Sequence, residues 1–252
     1  LRDALTRLRG AALQGMRICL ASKGMEPGTF ALNHEVAADA LGHPPLAVLS
    51  GPSFAREVAE GLPTAVTIAS ESVAIASVFA ERFHGDTFRI YTHSDVIGVQ
   101  VGGAVKNVMA IAAGISDGLG YGANARAALI TRGLAEIIRL GTVMGGKRDT
   151  FMGLTGLGDL VLTCTDDQSR NRRLGLALAR GSSLQVALRK IGQAVEGART
   201  AAVVCALARR HGVDMPISVQ VQRVISGETT PMDAARHLLD RERREESEPP
   251  LA

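Results

Sequence analysis

A single lysine stands out because it lies in the middle of a long apolar segment. Residues 102–118 (GGAVKNVMAIAAGISDG) predict one helix whose residues are nearly all small or apolar, and such a helix belongs in a protein interior. Lys106 would place an ammonium there, where an uncompensated charge is unfavourable. Its side chain leans toward Gly102 and Gly103, which would leave an empty pocket. Lys106 either snorkels to the surface or does chemistry, and the two glycines with Asn107 favour chemistry.

Two loops are predicted to bring further polar groups to one edge of a sheet. Lys23 and Gly24 follow a predicted strand, and residues 51–55 (GPSFA) form a second strand-to-helix turn. Ligands of α/β sheets bind at the carboxyl ends of strands. There a lysine can hold a phosphate or polarise a carbonyl, and helix N-terminal N–H groups can bind an anion. The alternatives are an exposed loop lysine and a plain N-cap supplied by Ser53.

The segment 153–173 (GLTGLGDLVLTCTDDQSRNRR) carries a second concentration of polar residues. If residues 159–165 are helical, Asp159 and Thr163 lie one turn apart on the same face. Their carboxylate and hydroxyl could then bind the hydroxyl groups of a small polyol phosphate. The alternative is a polar helix–helix connection with ordinary capping.

The polar residues that follow this helix complete the predicted site. Arg170 would bind the phosphate as a bidentate fork, with the Asn171 amide beside it. Arg172 and Arg173 are predicted to be surface charges. Glu196 begins another predicted helix, where the helix dipole alone is sufficient reason for a carboxylate.

Composition and charge exclude several classes of protein. The chain has 252 residues, of which 46% are hydrophobic and 21% charged, and its net charge is +3. These values are typical of a soluble globular protein, and the scattered basic residues are not a nucleic-acid signature. The charged N-terminus is not a signal peptide, and no run approaches the roughly 20 apolar residues of a membrane helix.

Cysteine and histidine spacing excludes a metal site and a disulfide framework. The three cysteines are far apart and odd in number, which favours reduced thiols in a cytosol. The histidines show no pairing with cysteine or carboxylate at metal-ligand spacing and are predicted to be surface or capping residues. They are His34, His43, His84, His93, His211 and His237.

Periodicity divides the chain into two parts. Strands are predicted at 16–22, 46–49, 64–69 and 88–92, alternating with helices at 1–13, 29–41, 54–60 and 72–82. This alternation predicts a mostly parallel sheet with helices on its faces. Thereafter only helices are predicted, at 95–118, 123–144, 155–165, 170–180, 183–190, 195–211, 216–225 and 231–243. The predicted domains are therefore 1–98 and 99–252, with residues 241–252 as a frayed tail.

Several segments together closely resemble the bacterial-type NAD(P)-dependent glycerol-3-phosphate dehydrogenases. The matching segments are ASKGMEPGT at 21–29, LSGPSFAREVAEGLPTAVTIAS at 49–70, GGAVKNVMAIAAGISDGLGYGANARAALITRGLAEI at 102–137, GLTGLGDLVLTCTDDQSRNRRLG at 153–175 and VEGARTA at 195–201. They extend over nearly the whole chain. The resemblance implies α/β followed by all-α: a Rossmann-type parallel sheet, then a helical domain of the 6-phosphogluconate dehydrogenase-like type.

The resemblance also implies an activity. Members reversibly reduce dihydroxyacetone phosphate to sn-glycerol 3-phosphate with NADPH or NADH, in the cytoplasm, for phospholipid synthesis. Neither nucleic-acid binding nor membrane insertion is expected, and a homodimer is left open.

The family pattern assigns roles residue by residue. Lys106 matches the catalytic acid/base and also contacts substrate. The other substrate-binding positions are Lys23, Gly51, Ser53, Asp159, Ser169, Arg170 and Asn171, to which the helical spacing adds Thr163. The cofactor-binding positions are Lys23, Ala55, Arg170, Ala194 and Glu196.

One departure from the family pattern leaves alternatives open. The family begins with a βαβ unit that carries a GxGxxG turn for the pyrophosphate, and this unit is absent from the sequence. The expectation is a truncated Rossmann sheet, and the chain could be an inactive fragment or a helical oligomerisation module. A related dehydrogenase of another small hydroxy acid is a third interpretation, against which Arg170 and Asn171 argue.

Overall fold

The first part of the chain is a small sheet with helices packed on it. The computed structural model describes residues 1–8 and 15–242. The elements of this part are α1 (Arg2–Leu8), β1 (Ile18–Leu20), α2 (Asn33–Leu41), β2 (Leu46–Ser50), α3 (Ala55–Ala59), β3 (Thr64–Ala69), α4 (Val73–Phe83) and β4 (Phe88–His93). The predicted alternation of strands and helices is confirmed. Part of the predicted first helix and residues 243–252 of the predicted tail lie outside the described residues.

The sheet is dominated by parallel pairs but contains one antiparallel pair. Its strand order is β1-β2-β3-β4. β1 pairs in parallel with β2, and β3 in parallel with β4, whereas β2 and β3 run antiparallel. Because β1 and β2 run the same way, the loops that follow them, with Lys23 and Gly51, lie at the same edge.

The second part is helical throughout the described residues. Its elements are α5 (Val96–Gly118), α6 (Gly122–Val143), α7 (Arg148–Met152), a π-helical turn (Leu154–Gly158), α8 (Asp159–Thr165), α9 (Arg170–Ala179), α10 (Leu184–Ile191), α11 (Glu196–His211), α12 (Pro216–Ser226) and α13 (Pro231–Leu239). The short helix α7 and the π-helical turn were not predicted as separate elements. Thr230 caps α13 and Pro231 is its first residue.

Helix α5 contributes residues to the hydrophobic cores of both parts of the chain. Its first turn contributes Val96 and Val99 to the core beneath the sheet, while its remaining turns form the core of the helical part. Contrary to the sequence expectation, α5 is long and apolar enough to cross a membrane by composition alone. However, its apolar stretch is 94% buried inside the protein, so its composition is that of a core helix.

Glycines let α9 approach α5 until their backbones touch. A Cβ atom on Gly114 would lie 2.1 Å from the carbonyl oxygen of Arg172, and one on Gly175 would lie 2.1 Å from that of Ile111. Real Cβ atoms do not approach oxygen so closely, so neither position accepts a larger residue without separating the helices.

Two local predictions at the starts of helices are wrong. Ser53 does not cap α3: its Oγ donates to the carbonyl oxygen of Gly51 at 3.2 Å, and Phe54 occupies the cap position without a side-chain bond. α2 begins four residues later than predicted because Phe30 adopts a left-handed φ of 63°, which a continuing helix excludes.

Candidate active site

A buried carboxylate organises the centre of the site. Asp159, the first residue of α8, is 1% exposed. One carboxylate oxygen accepts a close hydrogen bond from Lys106 Nζ, and Lys106 also donates to Thr163 Oγ1 at 2.9 Å. Thr163 Oγ1 donates in turn to the main-chain oxygen of Asp159 at 2.6 Å. The predicted i,i+4 pair of Asp159 and Thr163 thus lies on one face of α8, and Lys106 of α5 reaches it.

Lys23 brings a second ammonium to the same carboxylate. Its Nζ lies 2.6 Å from the other oxygen of Asp159 and 3.4 Å from the carbonyl oxygen of Gly51. One carboxylate therefore joins the loop after β1, the turn after β2, the centre of α5 and the start of α8. The convergence of these groups at the sheet edge is what their sequence positions suggested.

The glycines before Lys106 do not leave an empty pocket. A Cβ atom on Gly102 would lie 2.7 Å from the carbonyl oxygen of Thr155, and one on Gly103 would lie 2.9 Å from Ser50 Oγ. Lys23 methylenes also pack against Gly103. The expectation of empty space was wrong, because neighbouring backbone and side chains occupy it.

Burial sets the electrostatics of Lys106. Loss of hydration lowers the pKa of Lys106 below its ordinary 10.5, and the positive charge of Lys23 lowers it further. Asp159 opposes both effects but does not cancel them. A lysine whose pKa moves toward neutrality can both donate and accept a proton under physiological conditions.

A second cluster joins the starts of α9 and α11 to α5. The Asn171 amide donates to Asn107 Oδ1 at 2.9 Å and accepts from the backbone N–H of Gly197 at 2.9 Å. Asn107 donates to the Glu196 carboxylate at 3.2 Å. Gly197 has no room for a side chain, since its Cβ would lie 2.6 Å from the Asn107 carbonyl oxygen. The cluster fixes Glu196 and Asn171 on either side of Asn107.

The start of α9 presents a guanidinium that is free within the described chain. Ser169 caps the helix by accepting from the backbone N–H of Arg172 at 3.2 Å. Arg170 is half-buried, and no hydrogen bond or ion pair joins it to any residue in 1–8 or 15–242. Such a side chain is available for an anionic ligand.

The turn after β2 closes another side of the site. Gly51 has φ 140°, and a Cβ there would lie 3.0 Å from Val66 Cα, so only glycine fits. Pro52 lies near Gly158 of the π-helical turn. Ala55 is the exposed first residue of α3, and Ala194 is an exposed residue just before α11.

Sequence reasoning missed two polar residues near the site. The Ser50 hydroxyl is buried and has no hydrogen-bond partner among the described residues. Arg172, predicted as surface charge, is only 8% exposed and bonds to Asp117 at 2.6 Å. The close packing of Gly103 on Ser50 depends on tertiary contacts, for which the sequence carries no local signal. The described residues contain no cluster of His, Cys, Asp or Glu that could hold a metal ion.

Comparison with known proteins agrees with this geometry. Residues 1–76 match the N-terminal part, and residues 95–236 the C-terminal part, of the family described as NAD-dependent glycerol-3-phosphate dehydrogenase. The chain belongs to the NAD-dependent glycerol-3-phosphate dehydrogenase family. Its members are NAD(P)-dependent oxidoreductases, which identifies NADH or NADPH as the cofactor of the family.

Individual glycerol-3-phosphate dehydrogenases are similar over almost the whole chain. The enzyme named glycerol-3-phosphate dehydrogenase [NAD(P)+] from Nitrosococcus oceani is 59% identical, over 97% of this chain and 72% of its own length. The enzyme of that name from Thioalkalivibrio sulfidiphilus is 61% identical, over 97% and 74%. The crystal structure of glycerol-3-phosphate dehydrogenase from Coxiella burnetii superposes with a TM-score of 0.92 at 51% identity, covering 95% of this chain and 74% of that one. The α/β-then-helical fold is therefore that of the family.

Proposed function

We propose that this chain catalyses the reversible reduction of dihydroxyacetone phosphate to sn-glycerol 3-phosphate with NADH or NADPH. The observation that carries the proposal is the buried Lys106 ammonium, held by Asp159 and Thr163 at the edge where Lys23 and Gly51 converge. This arrangement supplies a proton at a water-poor position, which the reduction of a carbonyl requires.

Lys106 has the central chemical role in the proposal. It donates a proton to the oxygen that becomes the C2 hydroxyl, and in its charged form it stabilises the negative charge that develops there. In the reverse direction the neutral amine accepts the proton. Asp159 and Thr163 hold the ammonium in place, while Lys23 lowers the pKa of Lys106 and offers a second positive charge to the substrate oxygens.

The phosphate ester is assigned to the first turn of α9. Arg170 provides a guanidinium without a protein partner in the described chain, suited to bidentate binding of phosphate. Ser169 and Asn171 flank it. Asn171 uses its oxygen and one N–H within the protein, which leaves its second N–H for the ligand. Gly51 and Ser53 line the opposite side.

The residues present can supply several of the contacts that a nicotinamide nucleotide needs. Arg170 can neutralise a phosphate charge, and the half-buried Glu196 carboxylate, held by Asn107, can accept from an amide or a ribose hydroxyl. Lys23, Ala55 and Ala194 are assigned to the same ligand. When bound, NADH or NADPH supplies the hydride. The protein residues hold the carbonyl beside Lys106 and exclude water from it.

We also propose a domain boundary and a location. The boundary lies at 98–99. It is supported by two separate cores: the first turn of α5 packs in the core beneath the sheet, and the rest of α5 packs in the core of the helical part. The location is the cytoplasm, supported by the three free cysteines, where the product would enter phospholipid synthesis.

The decisive test measures oxidation of NADH and NADPH by the purified chain with dihydroxyacetone phosphate, and with unphosphorylated dihydroxyacetone for comparison. We expect turnover of the phosphate ester, and a loss of roughly three orders of magnitude in Lys106→Ala. The matched control is Lys190→Ala, because Lys190 is an exposed lysine of α10, and it should leave turnover unchanged. Equal activity with the unphosphorylated compound, or near-normal turnover in Lys106→Ala, would contradict the proposal.

A further inference from the structure

Three charged side chains meet in a largely buried cluster at the end of α5. Asp117 accepts hydrogen bonds from Arg172 Nη2 at 2.6 Å and from Arg126 Nη1 at 2.9 and 3.0 Å. The side chains of Asp117 and Arg172 are 9% and 10% exposed, and that of Arg126 is 30% exposed. We call Asp117, Arg126 and Arg172 the Asp117 cluster. It lies outside the Lys106 centre, and the proposed reaction does not use it directly.

The cluster ties the start of α9 to α5. Arg172 belongs to the first turn of α9, two residues after Arg170, and its backbone N–H is bonded by the helix cap Ser169. Its guanidinium also pairs closely with Asp167 in the preceding loop. The buried Arg172 side chain therefore connects the preceding loop and the first turn of α9 to the end of the helix that carries Lys106, while its backbone N–H bonds the cap.

Stability alone does not account for this buried charge. Removing an arginine and an aspartate from water generally opposes folding by about as much as their attraction favours it. In addition, Arg172 Nε has no hydrogen-bond partner among the described residues. A planar guanidinium does, however, fix geometry, because its donors have set directions.

The Arg170 guanidinium makes no hydrogen bond or ion pair with the described residues. Within the described chain no partner orients its guanidinium, so its position follows from the backbone of α9. That backbone touches α5 through Gly114 and Gly175 and is anchored at its first turn by Arg172. We propose that Arg172 and Asp117 are positioning residues that set the distance between Arg170 and Lys106, and so determine the affinity for the phosphate ester. This inference rests on the proposed function, which assigns the phosphate to Arg170.

The test is a double-mutant comparison of Arg172→Met and Arg170→Met. Arg172→Met should raise KM for dihydroxyacetone phosphate by about tenfold while kcat changes less than about threefold, because lost positioning weakens binding more than proton transfer. In the Arg170→Met background, Arg172→Met should change KM by less than about twofold, since its effect acts through Arg170. Arg173→Met, which removes the exposed neighbouring arginine, is the matched control and should match the wild-type KM.

A purely structural role predicts a different pattern. It would lower the melting temperature. It would also lower the active fraction, and with it kcat, by the same factor in both backgrounds, while KM would stay unchanged. That result, or a full tenfold rise of KM in the Arg170→Met background, would overturn the proposal. If Arg172→Met does not fold, Asp117→Asn serves instead, because it removes the charge and keeps the shape; we expect the same rise in KM, and an unchanged KM would overturn the proposal.

Calorimetric binding of sn-glycerol 3-phosphate separates this inference from the proposed function. If the chain binds this ester without turning over substrate, the proposed function fails. The same comparison is then made with Kd, where the same tenfold and twofold changes are expected. If the chain does not bind the ester, the positioning role is overturned as well.

Discussion

Asp159 and Glu136 are both carboxylates with 1% exposure, but they accept hydrogen bonds from different kinds of donor. The oxygens of Asp159 face two ammonium groups, on Lys106 and Lys23. The oxygens of Glu136, on α6, face uncharged donors at the start of α12: the backbone N–H groups of Ile217 and Ser218 and the Ser218 hydroxyl, at 2.5, 3.1 and 2.8 Å. Glu136 thus caps the start of α12, which is a structural role.

The difference separates a carboxylate that belongs to the proposed site from one that holds two helices together. Burial raises the pKa of Glu136 to about 7, and the hydrogen bonds from α12 and the positive charge of Arg139 only partly oppose this rise. Two ammonium groups contact Asp159, and burial together with the Lys23 charge lowers the pKa of Lys106. Two ammonium groups on one carboxylate leave a net positive charge for an anionic substrate, whereas the hydrogen bonds that Glu136 accepts from α12 all come from uncharged donors. Four substitutions test this distinction.

Asp159→Asn should have the largest effect, lowering kcat by about a hundredfold or more. The amide cannot compensate two ammonium groups, so the pKa of Lys106 should fall further. The charged form needed for carbonyl reduction is then lost at lower pH, and the alkaline limb of the reduction profile should move to lower pH. Kinetics over a range of pH measure both effects. An alkaline limb that stays in place would show that Asp159 does not control Lys106.

Glu136→Ala should reduce stability by about 3 kcal/mol, because it leaves the donors at the start of α12 buried without an acceptor. Denaturant titration measures this loss. In the folded fraction kcat and KM should stay within about twofold of wild type, since Glu136 does not belong to the proposed site. A selective loss of turnover at unchanged stability would remove the distinction between the two carboxylates.

Glu136→Gln should change how stability depends on pH. In the wild type the folded-state pKa of about 7 exceeds the ordinary value of 4.5. Between these values the folded state binds a proton that the unfolded state lacks, so this group makes the protein less stable as pH rises through the window. Glutamine cannot titrate, so the variant should lose this slope. Melting temperatures of both proteins across the window provide the comparison, and parallel curves would contradict it.

Thr163→Val should lower kcat less than Asp159→Asn does, by about tenfold. It preserves the shape of the side chain but removes the hydroxyl that accepts from Lys106 at 2.9 Å. The hydrogen bond from Lys106 to the Asp159 carboxylate remains. Steady-state rates of this variant and of Asp159→Asn should rank the two contacts of Lys106. An equal or larger loss in Thr163→Val would mean that the hydroxyl, rather than the carboxylate, holds the ammonium.

The centre of the site was predictable from sequence because its signals are local. Asp159 and Thr163 are one helical turn apart, and Lys106 is conspicuous in an apolar helix. The positions of the four strands and of most helices follow from periodicity in the same way. Family resemblance then added Ser169, Ala194 and Glu196, for which spacing alone gave no functional reason.

Other features were not predictable because they depend on partners distant in sequence. The antiparallel pairing of β2 with β3 leaves no trace in the composition of either strand. Glu136 and Arg172 are charged residues at ordinary helical positions, and only the packing of α12 and α5 against them buries them. Ser53 satisfies the composition rule for an N-cap, but the turn at Gly51 directs its hydroxyl elsewhere.

The contact between α5 and α9 limits which sequences this fold can accept. Gly114 and Gly175 are far apart in the chain, but each excludes even the single methyl group of alanine, because the backbone of the other helix lies where that methyl would be. No rotamer change can relieve such a clash, so any replacement must separate the helices and carry Arg170 away from Lys106. Redesign of substrate scope would therefore have to change side chains at the rim of the site and keep both glycines as they are.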